Sequence, residues 1–180
     1  MKNKKILFIG VSSFTGYGFV KKILKNKFFE VHCTLTKKLK DYEYIKKKRI
    51  KIIAQNKNVH LYNNTKFGSK KFLGILKKNN FDVICFHYAY TKNYNDNKKF
   101  KLKKSLNENL YKIDEVFKRI NGNSKIIISN TIFQDVKEKK YSATNTYGIS
   151  KTKTYEKIKY YCKLSNLKYK SIFITNPWEF

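Results

Sequence analysis

Apolar and polar positions alternate along this chain between a strand period and a helix period. Ile6-Leu7-Phe8-Ile9 is a continuous apolar run, as a strand buried on both faces requires. Gly10 to Gly16 then reads as a turn, and Tyr17 to Lys27 as a helix with Phe19, Val20, Ile23 and Leu24 facing inward. Glu30 to Thr36 predicts a second strand. Residues 37–57 are Lys-rich and predict a loop with a short helix around Tyr42 to Lys48. Val59 to Tyr62 predicts a third strand, and Ser69 to Asn79 a helix with Phe72, Leu73, Ile75 and Leu76 on its apolar side. Asp82 to His87 is a fourth strand, followed by a polar loop from Tyr90 to Lys101. Leu106, Leu110, Ile113, Phe117 and Ile120 recur at spacings of four, three, four and three. That spacing predicts one helix, which Asn121-Gly122-Asn123 stops. Lys125 to Ser129 is a fifth strand, 134–146 a polar loop, Tyr147 to Leu164 a helix, and Tyr169 to Ile174 a sixth strand. Strand and helix alternate from start to finish, which predicts a parallel α/β sheet.

Length and composition refine this picture. The 180 residues suit one domain with a sizeable core, and 41% apolar content fits a globular chain. No internal repeat, low-complexity linker or domain boundary is visible. The apolar runs are too short to span a bilayer, so no membrane partner is expected. Met1-Lys2-Asn3-Lys4-Lys5 leads into a run too short for a secretory signal, so a cytoplasmic protein is expected. Cys33, Cys85 and Cys162 are odd in number and widely spaced in apolar patterns, which predicts buried free thiols. No CxxC or Cys/His cluster is present, so no metal site is expected, and His32, His60 and His87 read as core or edge residues.

A net charge of +29 raises the question of nucleic acid. The basic residues are nearly all Lys, with Arg only at Arg49 and Arg119, and they spread along every segment. Base readout favours Arg forks, so nucleic acid is not expected as the partner, and a solvated basic surface is. The accompanying Asn, Ile, Tyr and Phe are what AT-rich codons encode.

Two motifs carry chemistry. Gly10-Val11-Ser12-Ser13-Phe14-Thr15-Gly16 joins the first strand to the first helix. A tight turn there needs Gly10, and small residues let backbone approach a ligand. The helix start offers free N–H groups and a positive dipole end, which suits a pyrophosphate. The same residues also fit a plain strand–turn–helix connection. At the end of the second strand, Thr36-Lys37-Lys38 holds no acid of the kind that reads a ribose 2′-hydroxyl, which leans toward NADP through Lys37 or Lys38.

The second motif is Tyr147-Gly148-Ile149-Ser150-Lys151, a YxxxK at the start of a predicted helix. Residues four apart lie on one helix face, so both side chains can reach one ligand. A Lys151 ammonium near Tyr147 would lower a phenol pKa that is ordinarily about 10, fitting it for proton transfer. Taken alone, the pair also fits two surface residues on a helix, and Tyr44–Lys48 repeats the spacing in the wrong context.

In this order, the motifs resemble the NAD-dependent epimerase/dehydratase family, the extended short-chain dehydrogenases. The resemblance spans essentially the whole chain. It implies a Rossmann-like doubly wound parallel sheet with helices on both faces, and NAD or NADP as cofactor. Gly10, Ser12, Ser13, Phe14, Thr15 and Gly16 would form the pyrophosphate turn. Thr36 and Lys37 would lie beside the adenosine ribose, and Asn64 near adenine. His87-Tyr88-Ala89 resembles the family's H-x-A-A stretch beside the cofactor, and Asn109 falls where a helix Asn braces the active site. Ile128-Ser129-Asn130-Thr131-Ile132-Phe133 resembles V-S-S-x-x-V-Y, which makes Ser129 the hydroxyl partner of the substrate and Thr131 the second choice. Thr175-Asn176-Pro177 resembles R-x-N-P, where Asn176 would approach a nucleotide-sugar. Tyr147 and Lys151 would be the catalytic pair, with Lys151 also bonding the nicotinamide ribose.

Ser13 stands where the family has Gly, Asn64 where it has Asp, and the Arg of the last segment is absent. Family members continue into a substrate domain, whereas this sequence stops at Asn176-Pro177-Trp178-Glu179-Phe180. The resemblance thus implies an NAD(P)-binding domain over residues 1–180 that ends inside a substrate loop. It implies an epimerase, dehydratase or reductase of a nucleotide-sugar, or else an NAD(P)-binding module without turnover. Two-helix packing into a homodimer is common in the family.

Overall fold

The computed structural model describes residues 3–135 and 142–174. Six strands form one parallel sheet: β1 (Lys4–Ile9), β2 (Phe29–Thr34), β3 (Val59–Tyr62), β4 (Val83–Phe86), β5 (Lys125–Thr131) and β8 (Tyr169–Ile174). Their order is β3-β2-β1-β4-β5-β8, so the chain winds outward from β1 to one edge, then crosses back to build the other half. Between β5 and β8, a small antiparallel pair joins β6 (Gln134–Asp135) to β7 (Ser142–Ala143), inside the stretch expected to be loop.

Helices cover both faces because successive strand residues point to opposite sides. Ile6 and Phe8 of β1 pack with Val20 of α1 (Phe14–Ile23) and with Ile50 and Ile53 of α2 (Tyr44–Ala54). Leu7 and Ile9 pack on the other side with α3 (Lys70–Lys78), α5 (Ile113–Phe117) and α6 (Thr146–Leu164). The uninterrupted apolar run of β1 thus serves two cores. Cys33, Cys85 and Cys162 are free and buried, as expected.

Two helices differ from expectation. Residues 37–57 hold α2, which is longer than the short helix anticipated. Its Lys residues mask the apolar pair Ile50 and Ile53, spaced to face the sheet together. The single helix expected through Leu106 and Ile120 is two helices, α4 (Leu102–Asn109) and α5. Lys112 between them is left-handed, with φ 51°, and Ile113 N–H bonds the Leu110 carbonyl. The break releases the Asn109 carbonyl, which accepts the Tyr88 hydroxyl. Ile113 and Phe117 stay buried in α5, so the apolar stripe persists across the break and hides it from periodicity.

Candidate functional site

All β-strands of the main sheet end on the same side, and the residues singled out from sequence follow those ends. Gly10 leaves β1 with φ 104°, a conformation L side chains rarely adopt. A Cβ at Gly10 would stand 2.7 Å from the His87 carbonyl oxygen, so the turn is pressed against the exit of β4. At Gly16 a Cβ would strike the Gly10 carbonyl. Ser13, in place of a third glycine, caps α1: its Oγ accepts Gly16 N–H at 2.9 Å and donates to the Gly10 carbonyl at 3.1 Å. Helix geometry gives the leading amides of α1 no intrahelical acceptor, which leaves those of Phe14 and Thr15 as donors for an anion.

His87 sits beneath this turn. Its Nε2 lies 3.1 Å from Ser13 Oγ and 2.9 Å from Thr15 Oγ1, while its Nδ1 is buried without a partner among the described residues. Burial, with the field of the Lys151 ammonium added, pushes its pKa down to about 3. The ring is therefore neutral and acts as a hydrogen-bonding strut between β4 and the turn.

On the β2–β3 side, Thr36 and Lys37 are exposed, and Asn64 N–H bonds the Lys37 carbonyl at 3.2 Å. Asn64 is left-handed, with φ 50°, which suits an Asn. Tyr42, unanticipated from sequence, places its hydroxyl 3.3 Å from Thr36 Oγ1 and so steadies this rim.

Across the sheet, Lys151 projects from the first turns of α6. It is 6% exposed and donates from Nζ to the Ser129 carbonyl at 2.7 Å. Burial pushes its pKa down to about 8. The start of α6 is fixed by Asn145, whose side chain accepts Gly148 N–H at 2.7 Å, and by Asn97, whose Oδ1 accepts Thr146 N–H at 2.9 Å. A Cβ at Gly148 would strike the Phe133 carbonyl, so only glycine after Tyr147 allows the helix to come this close.

Tyr147 does not match the expected electrostatics. Its ring is boxed edge-on by Tyr94, Phe100 and Phe133, at centroid distances of 5.6, 5.9 and 5.9 Å. Burial, reinforced by the Tyr94 phenol, pushes its pKa up to about 12, where a lowering by Lys151 was expected. Desolvation sets the direction of the shift. Among the described residues no hydrogen bond joins the Tyr147 hydroxyl to Ser129 or Thr131. The Ser129 Oγ instead donates to the Phe86 carbonyl at 3.4 Å, and Thr131 N–H bonds Gln134 Oε1 at 3.1 Å.

Asn109 ties the chain after β4 to α4 and α6. Its Oδ1 accepts Tyr90 N–H at 2.9 Å, and its Nδ2 reaches Ser105 Oγ at 3.4 Å and Thr154 Oγ1 at 3.3 Å. Ser105 and Ser150 join α4 to α6 through their hydroxyls at 2.6 Å. Tyr88 and Ala89 extend β4 past His87 and are half-buried. Asn130 was not singled out from sequence. It is 2% exposed, and neither amide atom has a partner among the described residues. Asn176 lies outside the described residues.

The topology and this edge define a Rossmann-like doubly wound fold. Solved structures share it. A UDP-glucuronic acid 4-epimerase variant from Bacillus cereus, in complex with UDP-4-deoxy-4-fluoro-glucuronic acid and NAD, has 14% identity and a TM-score of 0.76 over 94% of this chain. The UDP-Glc/GlcNAc 4-epimerase of Campylobacter jejuni has 16% identity and a TM-score of 0.73 over 96%. The UDP-glucose 4-epimerase of Thermotoga maritima, with UDP-glucose, has 18% identity and a TM-score of 0.69 over 93%. This chain spans 55%, 53% and 54% of those three, about half their length. No family model matches the chain, and no curated protein matches its sequence. No helix among the described residues is long and apolar enough to cross a membrane.

Proposed function

We propose that this chain is the cofactor-binding part of an NAD(P)-dependent enzyme that epimerises, dehydrates or reduces a nucleotide-activated sugar. The observation that carries the reading is the shared edge: a glycine turn on a helix start and a buried Lys151 beside β5 flank the same strand ends. Neighbours with this fold include UDP-sugar 4-epimerases, and the Bacillus cereus structure holds NAD.

The residues present fit a dinucleotide. At Gly10 and Gly16 an added Cβ would strike the chain's own backbone, so both glycines set the shape of the turn, and the α1 start offers amides to an anion. Gly10, Ser12, Ser13, Phe14, Thr15 and Gly16 would hold the pyrophosphate. Thr36, Lys37 and Asn64 would line the adenosine end. His87, Tyr88 and Ala89 would back the nicotinamide half, with Lys151 on its ribose. NAD is the first choice by the neighbours, and the exposed Lys37 keeps NADP in the comparison. A nicotinamide held there would supply the hydride chemistry for a sugar carbon.

The chain's own part is protonic. Tyr147 Oη would take a proton from the sugar hydroxyl or return it, and a positive charge nearby would draw its pKa down from about 12. Ser129 and Thr131 would orient the sugar oxygen, Asn109 would brace α4 against α6, and Asn176 would approach the nucleotide-sugar. A homodimer is part of the same proposal.

One observation favours a second reading, an NAD(P)-binding module without turnover: burial in the aromatic box pushes the Tyr147 pKa up to about 12, which holds the phenol protonated at neutral pH. Turnover assays on UDP-glucose, UDP-N-acetylglucosamine and UDP-glucuronic acid with each cofactor separate the two. Turnover that Tyr147→Phe lowers by at least about 100-fold supports the enzyme. Nucleotide binding with no turnover in either protein supports the module, and equal activity in both removes Tyr147 from the chemistry.

A further inference from the structure

Toward the amino-terminal ends of the strands, away from the glycine turn, three side chains converge that the proposed chemistry does not use. β2 and β3 pair in register with His32 beside His60, so both imidazoles stand on one face of the sheet. Glu30, two residues before His32, shares that face. One carboxylate oxygen, Glu30 Oε1, lies 2.8 Å from His32 Nε2 and 3.0 Å from His60 Nε2. The three donor atoms all fall within 4.8 Å of one another. The imidazole rings stack with centroids 4.5 Å apart. His32 is 3% exposed, whereas His60 opens to solvent.

We propose that Glu30, His32 and His60 form a binding site for one divalent transition-metal ion of the zinc type, with its remaining coordination open to solvent beside β3. Two imidazoles and one carboxylate suit zinc, and leave magnesium or calcium, which want oxygen ligands, poorly served.

The buried histidine is already oriented. His32 Nδ1 lies 2.8 Å from the Tyr62 hydroxyl, which donates to one imidazole tautomer and accepts from the other. In the chain alone, the Glu30 oxygen accepts the imidazole N–H groups. When a metal takes the place of those protons, His32 carries its proton on Nδ1, Tyr62 accepts it, and Nε2 keeps its lone pair for the ion. Bond lengths of about 2.0–2.1 Å in a tetrahedron set ligand atoms about 3.3 Å apart, so both close contacts must widen by a few tenths of an ångström. His60, with a side chain 47% exposed on an edge strand, has the room. Lys5 opposes the ion: its Nζ is 4.0 Å from Glu30 Oε1, and it must turn into solvent, which its 32% exposure allows. The set is invisible along the sequence because His60 is far from Glu30 and His32, and only the β2–β3 register joins them.

The test uses the untagged full chain, stripped with chelator and dialysed, then titrated with cobalt(II) and zinc(II) in turn. The expected result is one ion per chain, visible d–d bands of low-symmetry cobalt, and displacement of cobalt by zinc. His60→Ala and Glu30→Gln should each weaken zinc binding by at least about tenfold, with far-ultraviolet circular dichroism unchanged, and Tyr62→Phe by about tenfold. Absence of stoichiometric binding in the wild type, or wild-type affinity in folded His60→Ala, would overturn the proposal.

Discussion

The Lys151 ammonium lies 2.7 Å from the Ser129 carbonyl oxygen, and both residues are buried. This bond ties the start of α6 to the end of β5 and fixes where a cation stands at the strand ends. Burying an amine that has no carboxylate partner among the described residues has a cost, seen in the fall of its pKa to about 8.

That cost has a sign and a window. The folded pKa is below the unfolded one, so the folded chain binds fewer protons as the amine titrates. The penalty is complete below about pH 8 and disappears as pH rises toward 10.5. Lys151→Met should therefore be more stable than wild type at pH 7 by on the order of 2 kcal/mol, allowing for the lost hydrogen bond. The gap should shrink by pH 10. Urea unfolding of both proteins at the two pH values checks this, and a variant less stable at pH 7 would refute it.

His87 behaves in the acid range. Its folded pKa of about 3 lies below the ordinary 6.5, so the strut is intact above pH 6.5 and loses stability as pH falls toward 3. Between pH 7 and 4 wild type should lose on the order of 3 kcal/mol beyond what His87→Asn loses, since an amide cannot take up the proton. Parallel unfolding curves for the two proteins from pH 7 to 4 would contradict this.

Asn109 should behave as a structural clamp. Replacing it with Leu strands Tyr90 N–H and removes the bridge from Ser105 to Thr154. A loss of about 2–4 kcal/mol in chemical unfolding is expected, the range for breaking a buried hydrogen-bond network. Asn109→Asp should not rescue it, since a carboxylate cannot donate to Thr154 Oγ1, whose own proton goes to the Ser150 carbonyl, and adds a buried charge.

Tyr147 should titrate late. The difference spectrum between wild type and Tyr147→Phe should show phenolate absorbance only as pH nears 12, and earlier in a Tyr94→Phe background. Phenolate appearing near pH 10 would mean that the aromatic box is open in solution.

The alternation of strands and helices was readable because continuous apolar runs such as Ile6–Ile9 suit a strand covered on both faces, and glycine at its exit marks the turn. The YxxxK pair was readable because a helix brings residues four apart together. What sequence hid depends on contacts between distant segments. Tyr94 and Phe100 lie in a polar loop that gave no sign of packing on Tyr147, and that packing reversed its expected pKa shift. The break at Lys112 kept the apolar stripe in phase, so periodicity passed over it. The strut role of His87 arises because Gly10 presses on the β4 exit, a closeness that only the folded sheet creates.

The central claim is that the 10–16 turn receives the diphosphate of NAD(P), and Ser13→Asp tests it most directly. Asp caps a helix as well as Ser does, so the variant should fold, but it sets a carboxylate where the phosphates would lie. Calorimetric titration with NAD and NADP should show binding to wild type that Ser13→Asp weakens by at least about 100-fold while its far-ultraviolet circular dichroism stays that of wild type. Wild type giving no heat with either nucleotide, or Ser13→Asp binding as tightly as wild type, would contradict it.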